Sequence, residues 1–112
     1  MRNIILLAVA GVLSAGTAHA DGKLNIYNWS DYIAEDTVAN FKAETGIDVT
    51  YDVYDSNEIL EAKMSAGSSG YDLVVPTADF LARGRQAGVY AEMDFSRIPN
   101  AKNQSAQVQG LA

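Results

Sequence analysis

The sequence has no cysteine, and its 112 residues include a single histidine, His19. The segment after His19 therefore lacks the residues of Ser-His-Asp and Cys-His catalysis and the usual zinc ligands. A fold without disulfides must rely on its own core. Carboxylate chemistry or an oxygen-bound metal ion stays open, but the acidic residues do not follow the spacing of a calcium-binding loop. We expect no cofactor and no metal site.

Positive charge is also scarce, since 8 Lys and Arg residues face 14 Asp and Glu residues and the formal net charge is −6. Proteins that bind nucleic acid carry a basic patch, so we expect no nucleic-acid partner. An acidic chain is compatible with a cationic ligand, although the charge alone does not identify one.

The sequence contains only one long apolar run, residues 4–13, which is too short for a bilayer span of about 20 residues. The run follows Arg2 and leads to small residues that end in Ala18-His19-Ala20. This order predicts a signal peptide over residues 1–20, cleaved before Asp21. The alternative is an uncleaved membrane anchor, in which the Ala-x-Ala ending has no use.

Strand and helix patterns alternate from residue 23 to residue 91. Three helices are predicted. Periodicity places the first over about residues 35–45 and the third over about residues 79–87. The second begins after a cap at Asp55, with Glu58 completing a capping box. Gly46 and Gly88 are expected to end the first and third helices. Strands are predicted over residues 23–28, 48–54, 73–75 and, as a short fourth strand, 89–91.

Two of these strands have distinct patterns. Residues 48–54 alternate between polar and apolar, which is typical of a strand with one exposed face at a sheet edge. Residues 73–75 are continuously apolar, which is typical of a buried parallel strand. Serial strand–helix units predict an α/β fold with a mostly parallel sheet and flanking helices. The polar residues 101–112 fit either a helix start or disorder.

Ligands of open parallel sheets bind beyond the carboxyl ends of the strands. Two segments occupy that position, Asn28-Trp29-Ser30-Asp31-Tyr32 and Pro76-Thr77-Ala78-Asp79. Aromatic faces attract an ammonium group by about 0.5–2 kcal/mol and cover methylene groups. A carboxylate adds a charge-assisted hydrogen bond. The candidate ligand-binding residues are Trp29, Ser30, Asp31, Tyr32 and Thr77.

Each candidate also has a structural interpretation. Trp29 and Tyr32 equally fit the core. Asp31, Asp79 and Thr77 fit helix N-caps. The pair Asp52 and Asp55 fits a strand edge and a helix cap better than an acid–base couple. The string GSSG at residues 67–70 precedes a strand and not a helix, so it does not predict a phosphate-binding loop.

Several strings between residues 23 and 94 resemble the mature N-terminus of the putrescine- and spermidine-binding periplasmic proteins of bacterial ABC importers, closest to the putrescine branch. In chain order they are LNIYNWSDYI at 24–33, TVANF at 37–41, ETGI at 44–47, YDV at 51–53, DSNE at 55–58 and YDLVVP at 71–76. The first string is specific for polyamine binders, whereas the last is shared more widely among solute-binding proteins.

The resemblance implies a type II periplasmic binding fold, in which two α/β lobes close on a ligand. By position, Trp29 and Tyr32 resemble the aromatic walls of the ligand box, Ser30 a polar contact and Asp31 an acidic neighbour. Thr77 stands where the family has serine. Asp79 stands where putrescine binders have serine and spermidine binders tyrosine, so the preferred polyamine stays open.

Family members are several times longer than this chain. We therefore expect residues 21–112 to form a partial N-terminal lobe without the second lobe, and to bind polyamine weakly or not at all. The resemblance also implies a periplasmic location, an inner-membrane permease as partner and a monomer.

Three other readings stay open. One is a receptor for another ligand, such as an amino acid, an opine-like cation or a metal complex. Another is a small secreted enzyme that uses Asp31 with a second carboxylate, which the missing histidine and cysteine disfavour. The last is a non-functional truncated product.

Overall fold

A computed structural model of the chain describes residues 22–109. The predicted signal peptide, residues 1–20, lies outside the described residues. Three strands form one sheet in the order β2-β1-β3, and both pairings are parallel. The strands are β1 (Lys23–Trp29), β2 (Asp48–Tyr54) and β3 (Leu73–Val74). The predicted parallel α/β fold and the edge position of residues 48–54 are thus confirmed for the described part of the chain.

The helices follow the strands as predicted. They are α1 (Thr37–Thr45), α2 (Asn57–Ser65), α3 (Ala78–Gln86) and a short α4 (Ala106–Gln109), with 3-10 turns at Phe95–Arg97 and Pro99–Asn103. Gly46 ends α1 in the left-handed conformation at φ 76°, and its N–H donates to the Lys42 carbonyl. Gly88, at φ 70°, follows the end of α3. Both predicted stops are confirmed. None of the helices within residues 22–109 has the length and apolarity to cross a membrane.

The predicted cap of the second helix is wrong by one residue. Ser56, not Asp55, precedes α2, and its Oγ accepts the N–H of Ile59 at 3.3 Å. Asp55 makes a different contact, because its carboxylate accepts a hydrogen bond from Ser30. The capping box with Glu58 is therefore not formed.

The third strand is parallel as predicted, but its predicted burial is wrong, and so is the predicted strand at residues 89–91. Residues 73–75 are not buried, since β3 pairs on one side only within the described sheet and the side chain of Leu73 is 44% exposed. Residues 89–91 form no strand; the Val89 N–H donates to the Gly84 carbonyl at 2.9 Å. The chain there turns back on α3, and a Cβ added at Gly84 would lie 2.2 Å from the Tyr90 ring. Packing against the helix has replaced pairing with the sheet.

The two faces of the sheet differ in packing. One face carries the buried core of Tyr27, Tyr54 and Leu60, against which Trp29, Met64, Tyr71 and Val74 pack. The opposite face meets α1 across an open apolar cavity of about 210 Å³. Its lining is almost entirely aliphatic or aromatic and includes Leu24, Ile26, Ile33, Phe41, Val49 and Leu73. The core is therefore one-sided, and it lies directly beneath the end of β1.

Candidate ligand-binding site

Trp29, the last residue of β1, is fixed at the carboxyl edge of the sheet. Its indole Nε1 donates to the Val75 carbonyl at 2.7 Å, just past the end of β3. Its ring lies 4.8 Å from the ring of Tyr54, centroid to centroid. The side chain is half-buried. Trp29 thus packs on the core, as its structural interpretation expected, and still presents part of its ring at the edge.

Tyr32 lies differently, because its side chain is 70% exposed. Its ring centroid is 6.0 Å from that of Trp29, with the two planes tilted by 31°. The core interpretation is therefore wrong for Tyr32. One anchored ring and one exposed ring form a continuous aromatic surface beyond the strand ends.

Asp31 lies between Trp29 and Tyr32 in the chain and has a left-handed backbone conformation, at φ 59°. Aspartate tolerates this conformation better than most residues. Its side chain is exposed, and no residue between 22 and 109 hydrogen-bonds to its carboxylate. The residue that precedes α1 is Asp36, so the helix-cap interpretation of Asp31 is wrong. The carboxylate stands next to the aromatic pair without an internal partner in the described structure.

Ser30 directly follows β1, and its backbone N–H donates to the Tyr54 carbonyl at 3.2 Å. Its hydroxyl donates to Oδ1 of Asp55 at 2.7 Å. The sheet register explains this contact: Trp29 pairs with Tyr54, so the next residue of each strand emerges beside the other. Asp55 is the site residue that sequence reasoning missed. Only the register, which the sequence pattern does not give, would have found it.

Thr77 lies three residues beyond β3, where α3 begins. Its backbone N–H donates to Asn57 Oδ1 at 3.1 Å, which joins it to the first residue of α2. Thr77 occupies the N-cap position of α3 without a side-chain cap bond. Its hydroxyl instead donates to Asp79 Oδ1 at 2.6 Å. The cap interpretation of Asp79 is wrong, because Asp79 is the second residue of α3.

The Thr77 hydroxyl also affects the charge of Asp79. Its hydrogen bond is the largest cause that holds the pKa of the Asp79 carboxyl below its usual value, and partial desolvation opposes it. Hydrogen bonds to a carboxylate favour the ionised form. Asp79 is therefore an ionised, acceptor-only group at neutral pH.

The two predicted segments meet through Val75. Its carbonyl accepts both the Trp29 indole N–H and the Tyr54 hydroxyl, and Thr77 follows two residues later. Trp29, Ser30 and Thr77 are thereby tied to one edge. Within residues 22–109 no hydrogen bond links Asp31 or Tyr32 to Thr77. The same residues contain no group of three or more acidic or histidine side chains that could hold a metal ion.

Comparison with known proteins places this chain in a family. Residues 2–111 match the family model described as "Hypothetical lipoprotein (MG045 family)". The chain belongs to this lipoprotein family. The predicted location outside the cytoplasm is confirmed by this match and by relatives that are named as periplasmic proteins.

The sequence is similar to two curated polyamine-binding proteins. It is 55% identical over 103 residues to the putrescine-binding periplasmic protein SpuD of Pseudomonas aeruginosa, covering 91% of this chain and 28% of that protein. It is 62% identical over 99 residues to the putrescine-binding periplasmic protein PotF of Escherichia coli, covering 85% of this chain and 27% of that protein. The chain spans about 28% of the length of these relatives, and the predicted family resemblance is confirmed.

Solved structures show the same fold. The substrate-binding protein PotD of a spermidine/putrescine ABC transporter from Streptococcus pneumoniae superposes with a TM-score of 0.75 at 33% identity, over 79% of this chain and 27% of that one. The Tp0655 lipoprotein of Treponema pallidum superposes with a TM-score of 0.75 at 37% identity, over 80% of this chain and 28% of that one. The described residues therefore adopt part of a periplasmic binding protein fold, as predicted.

Proposed function

We propose that the chain contributes one side of a polyamine site, with putrescine as the favoured ligand, to a periplasmic receptor of an ABC importer. The observation that carries this proposal is the aromatic pair at the carboxyl edge, in which exposed Tyr32 lies 6.0 Å from anchored Trp29. The relatives named for putrescine binding support the choice of ligand.

The chemistry needs no bond to be made or broken. The ring faces of Trp29 and Tyr32 cover the methylene groups and attract an ammonium end, which contributes about 0.5–2 kcal/mol. Asp31 supplies carboxylate oxygens as acceptors for a charge-assisted hydrogen bond. Ser30 and Thr77 supply further oxygen atoms along the edge. The receptor acts as a monomer that delivers its ligand to an inner-membrane permease and is not an enzyme.

The only tryptophan of the sequence is Trp29, so intrinsic tryptophan fluorescence reports on this site alone. We expect saturable quenching or enhancement by putrescine with a Kd of about 1 mM, equivalent to about −4 kcal/mol. Such weak affinity is expected because an open edge encloses little of the ligand. The neutral analogue 1,4-butanediol, at the same ionic strength, is expected to give no saturable change.

The matching variant is Tyr32→Ala, which removes the exposed ring. We expect the putrescine affinity to fall by about 2- to 30-fold, the equivalent of the cation–π contribution. The free energy of unfolding should stay within about 0.5 kcal/mol of the original, because Tyr32 contributes little to the core. Phe95→Ala, which removes another exposed ring at 48% exposure, is the control. An equal response to putrescine and butanediol would contradict the proposal.

A further inference from the structure

The two aliphatic hydroxyl groups of the candidate site, those of Ser30 and Thr77, make the same kind of contact. Ser30 Oγ donates to Asp55 Oδ1 at 2.7 Å, and Thr77 Oγ1 donates to Asp79 Oδ1 at 2.6 Å. The two contacts involve different strands and different helices, so neither contact depends on the other. Each carboxylate is also displaced from the cap role that its sequence position suggested. Because the two contacts have the same geometry, we expect them to affect ligand binding at the sheet edge in the same way.

The consequence follows from the hydrogen-bonding capacity of a hydroxyl. A serine or threonine side chain has one proton to donate and two lone pairs with which to accept. A hydrogen bond to a carboxylate is roughly twice as strong as one to a neutral acceptor. When that proton is committed to Asp55 or Asp79, the hydroxyl oxygen can offer a ligand only its lone pairs.

We propose that Asp55 and Asp79 are positioning residues that fix Ser30 and Thr77 as hydrogen-bond acceptors, so that the site selects ligands with donor-only ends such as ammonium groups. This inference rests on the proposed function and adds to it the means by which an amine is distinguished from an alcohol or a carbonyl compound. An ammonium group carries three donors and no acceptor. A hydroxyl end, by contrast, can both donate and accept, but towards these oxygens it can only donate.

The direction of the hydroxyl bond can be tested without ligand. Thr77→Val keeps the side-chain shape and removes the hydroxyl, so the pKa of Asp79 should rise toward 3.8, its ordinary value. Carbon-13 NMR titration of the aspartate carboxyl groups measures this pKa directly. Thr50→Val, at an exposed threonine on β2, should leave the Asp79 titration unchanged. An unchanged Asp79 pKa in Thr77→Val would overturn the inference.

The selectivity is tested with a double-mutant cycle read by Trp29 fluorescence. Asp55→Asn should lower putrescine affinity by about three- to tenfold in the original chain, and by less than about twofold in a Ser30→Ala background, because Asp55 acts through Ser30. Putrescine should also lose part of its advantage over 1,4-butanediol in Asp55→Asn. Asp52→Asn, which removes the same charge three residues away, measures the general electrostatic contribution.

The outcomes separate this inference from the proposed function. If the chain responds to putrescine but Asp55→Asn and Ser30→Ala have additive effects, the positioning role is overturned and the proposed function stands. The same holds if Asp52→Asn lowers affinity as much as Asp55→Asn. If the original chain does not respond to putrescine at all, the proposed function is contradicted and the selectivity with it.

Discussion

At the residue scale, the Val75 carbonyl connects the site to the core. It accepts hydrogen bonds from Trp29 Nε1 at 2.7 Å and from the Tyr54 hydroxyl at 2.5 Å. Tyr54 is 2% exposed and Trp29 is half-buried, so a core tyrosine and a site tryptophan share one acceptor. This contact fixes the ends of all three strands. The position of the aromatic surface is therefore set by the same residue that closes the core.

Burial of Tyr54 predicts a loss of stability at alkaline pH. Desolvation is the main cause that raises the pKa of Tyr54 to about 12 from its ordinary 10.0. The unfolded chain releases this proton near pH 10, whereas the folded chain keeps it. The stabilisation is therefore complete below pH 10 and is lost as the pH rises to 12.

Urea unfolding followed by circular dichroism between pH 9 and 12 measures this dependence. We expect the free energy of unfolding to fall across the range, with a shallower slope in Tyr54→Phe, which has no phenol proton there. Tyr71, whose pKa is raised to about 12 chiefly by its hydrogen bond to Asp52, retains its own contribution in that variant. The same slope in both proteins would contradict the assignment to Tyr54.

At the element scale, the start of α2 decides which carboxylate is left for the site. Ser56 caps the helix, and Asp55, one residue earlier, accepts from Ser30. Ser56 thus caps the helix, whereas Asp55 accepts a hydrogen bond at the edge of the sheet. A shift of the cap by one residue would remove the acceptor from Ser30.

This division predicts different effects for adjacent substitutions. Ser56→Ala should lower the free energy of unfolding by about 1 kcal/mol, because the N–H of Ile59 loses its acceptor. Asp55→Ala should change it by no more than about 0.5 kcal/mol, since the side chain is exposed and caps nothing. Urea titration of both variants measures the difference. A larger loss in Asp55→Ala would restore the capping role to that residue.

At the scale of the whole molecule, the two faces of the sheet are unequal. The face with Tyr27, Tyr54 and Leu60 is buried, whereas the face beneath α1 opens into the apolar cavity. Leu73 and Val75 at its rim are 44% and 39% exposed. Contiguous exposed apolar surface favours association. The described fold therefore leaves one apolar face of the sheet partly exposed to water.

Although we propose a monomeric receptor, we expect this chain by itself, which spans about 28% of the length of its relatives, to self-associate with rising concentration through this face. Leu73→Lys should weaken the association, because its aliphatic stem can stay on the sheet while the ammonium group reaches water. Thr50→Lys adds the same charge at an exposed position on the opposite face of the sheet and is the control. Sedimentation velocity over a concentration series measures both variants. Equal self-association of Leu73→Lys and the original chain would exclude this face as the contact.

Much of the fold follows from local sequence patterns. The alternation in residues 48–54 gave the bounds of β2, and Gly46 gave the end of α1, because periodicity and left-handed glycine act over a few residues. The aromatic and polar residues after β1 were predicted to be the candidate site for a similar reason: they follow a recognisable strand. Whether those residues bind a ligand stays a prediction.

Tertiary structure decided the pairing of side chains across the sheet. The contact between Ser30 and Asp55 depends on the register of two strands, and the exposure of β3 depends on how many neighbours the sheet has. The sequence by itself determined the first two strands, the end of the first helix and the residues that end the first strand, whereas packing against α3 replaced the strand that it indicated at residues 89–91. Only the fold determined that the Ser30 hydroxyl meets the Asp55 carboxylate, because these two residues lie 25 residues apart in the chain and are brought together by hydrogen bonds between strands.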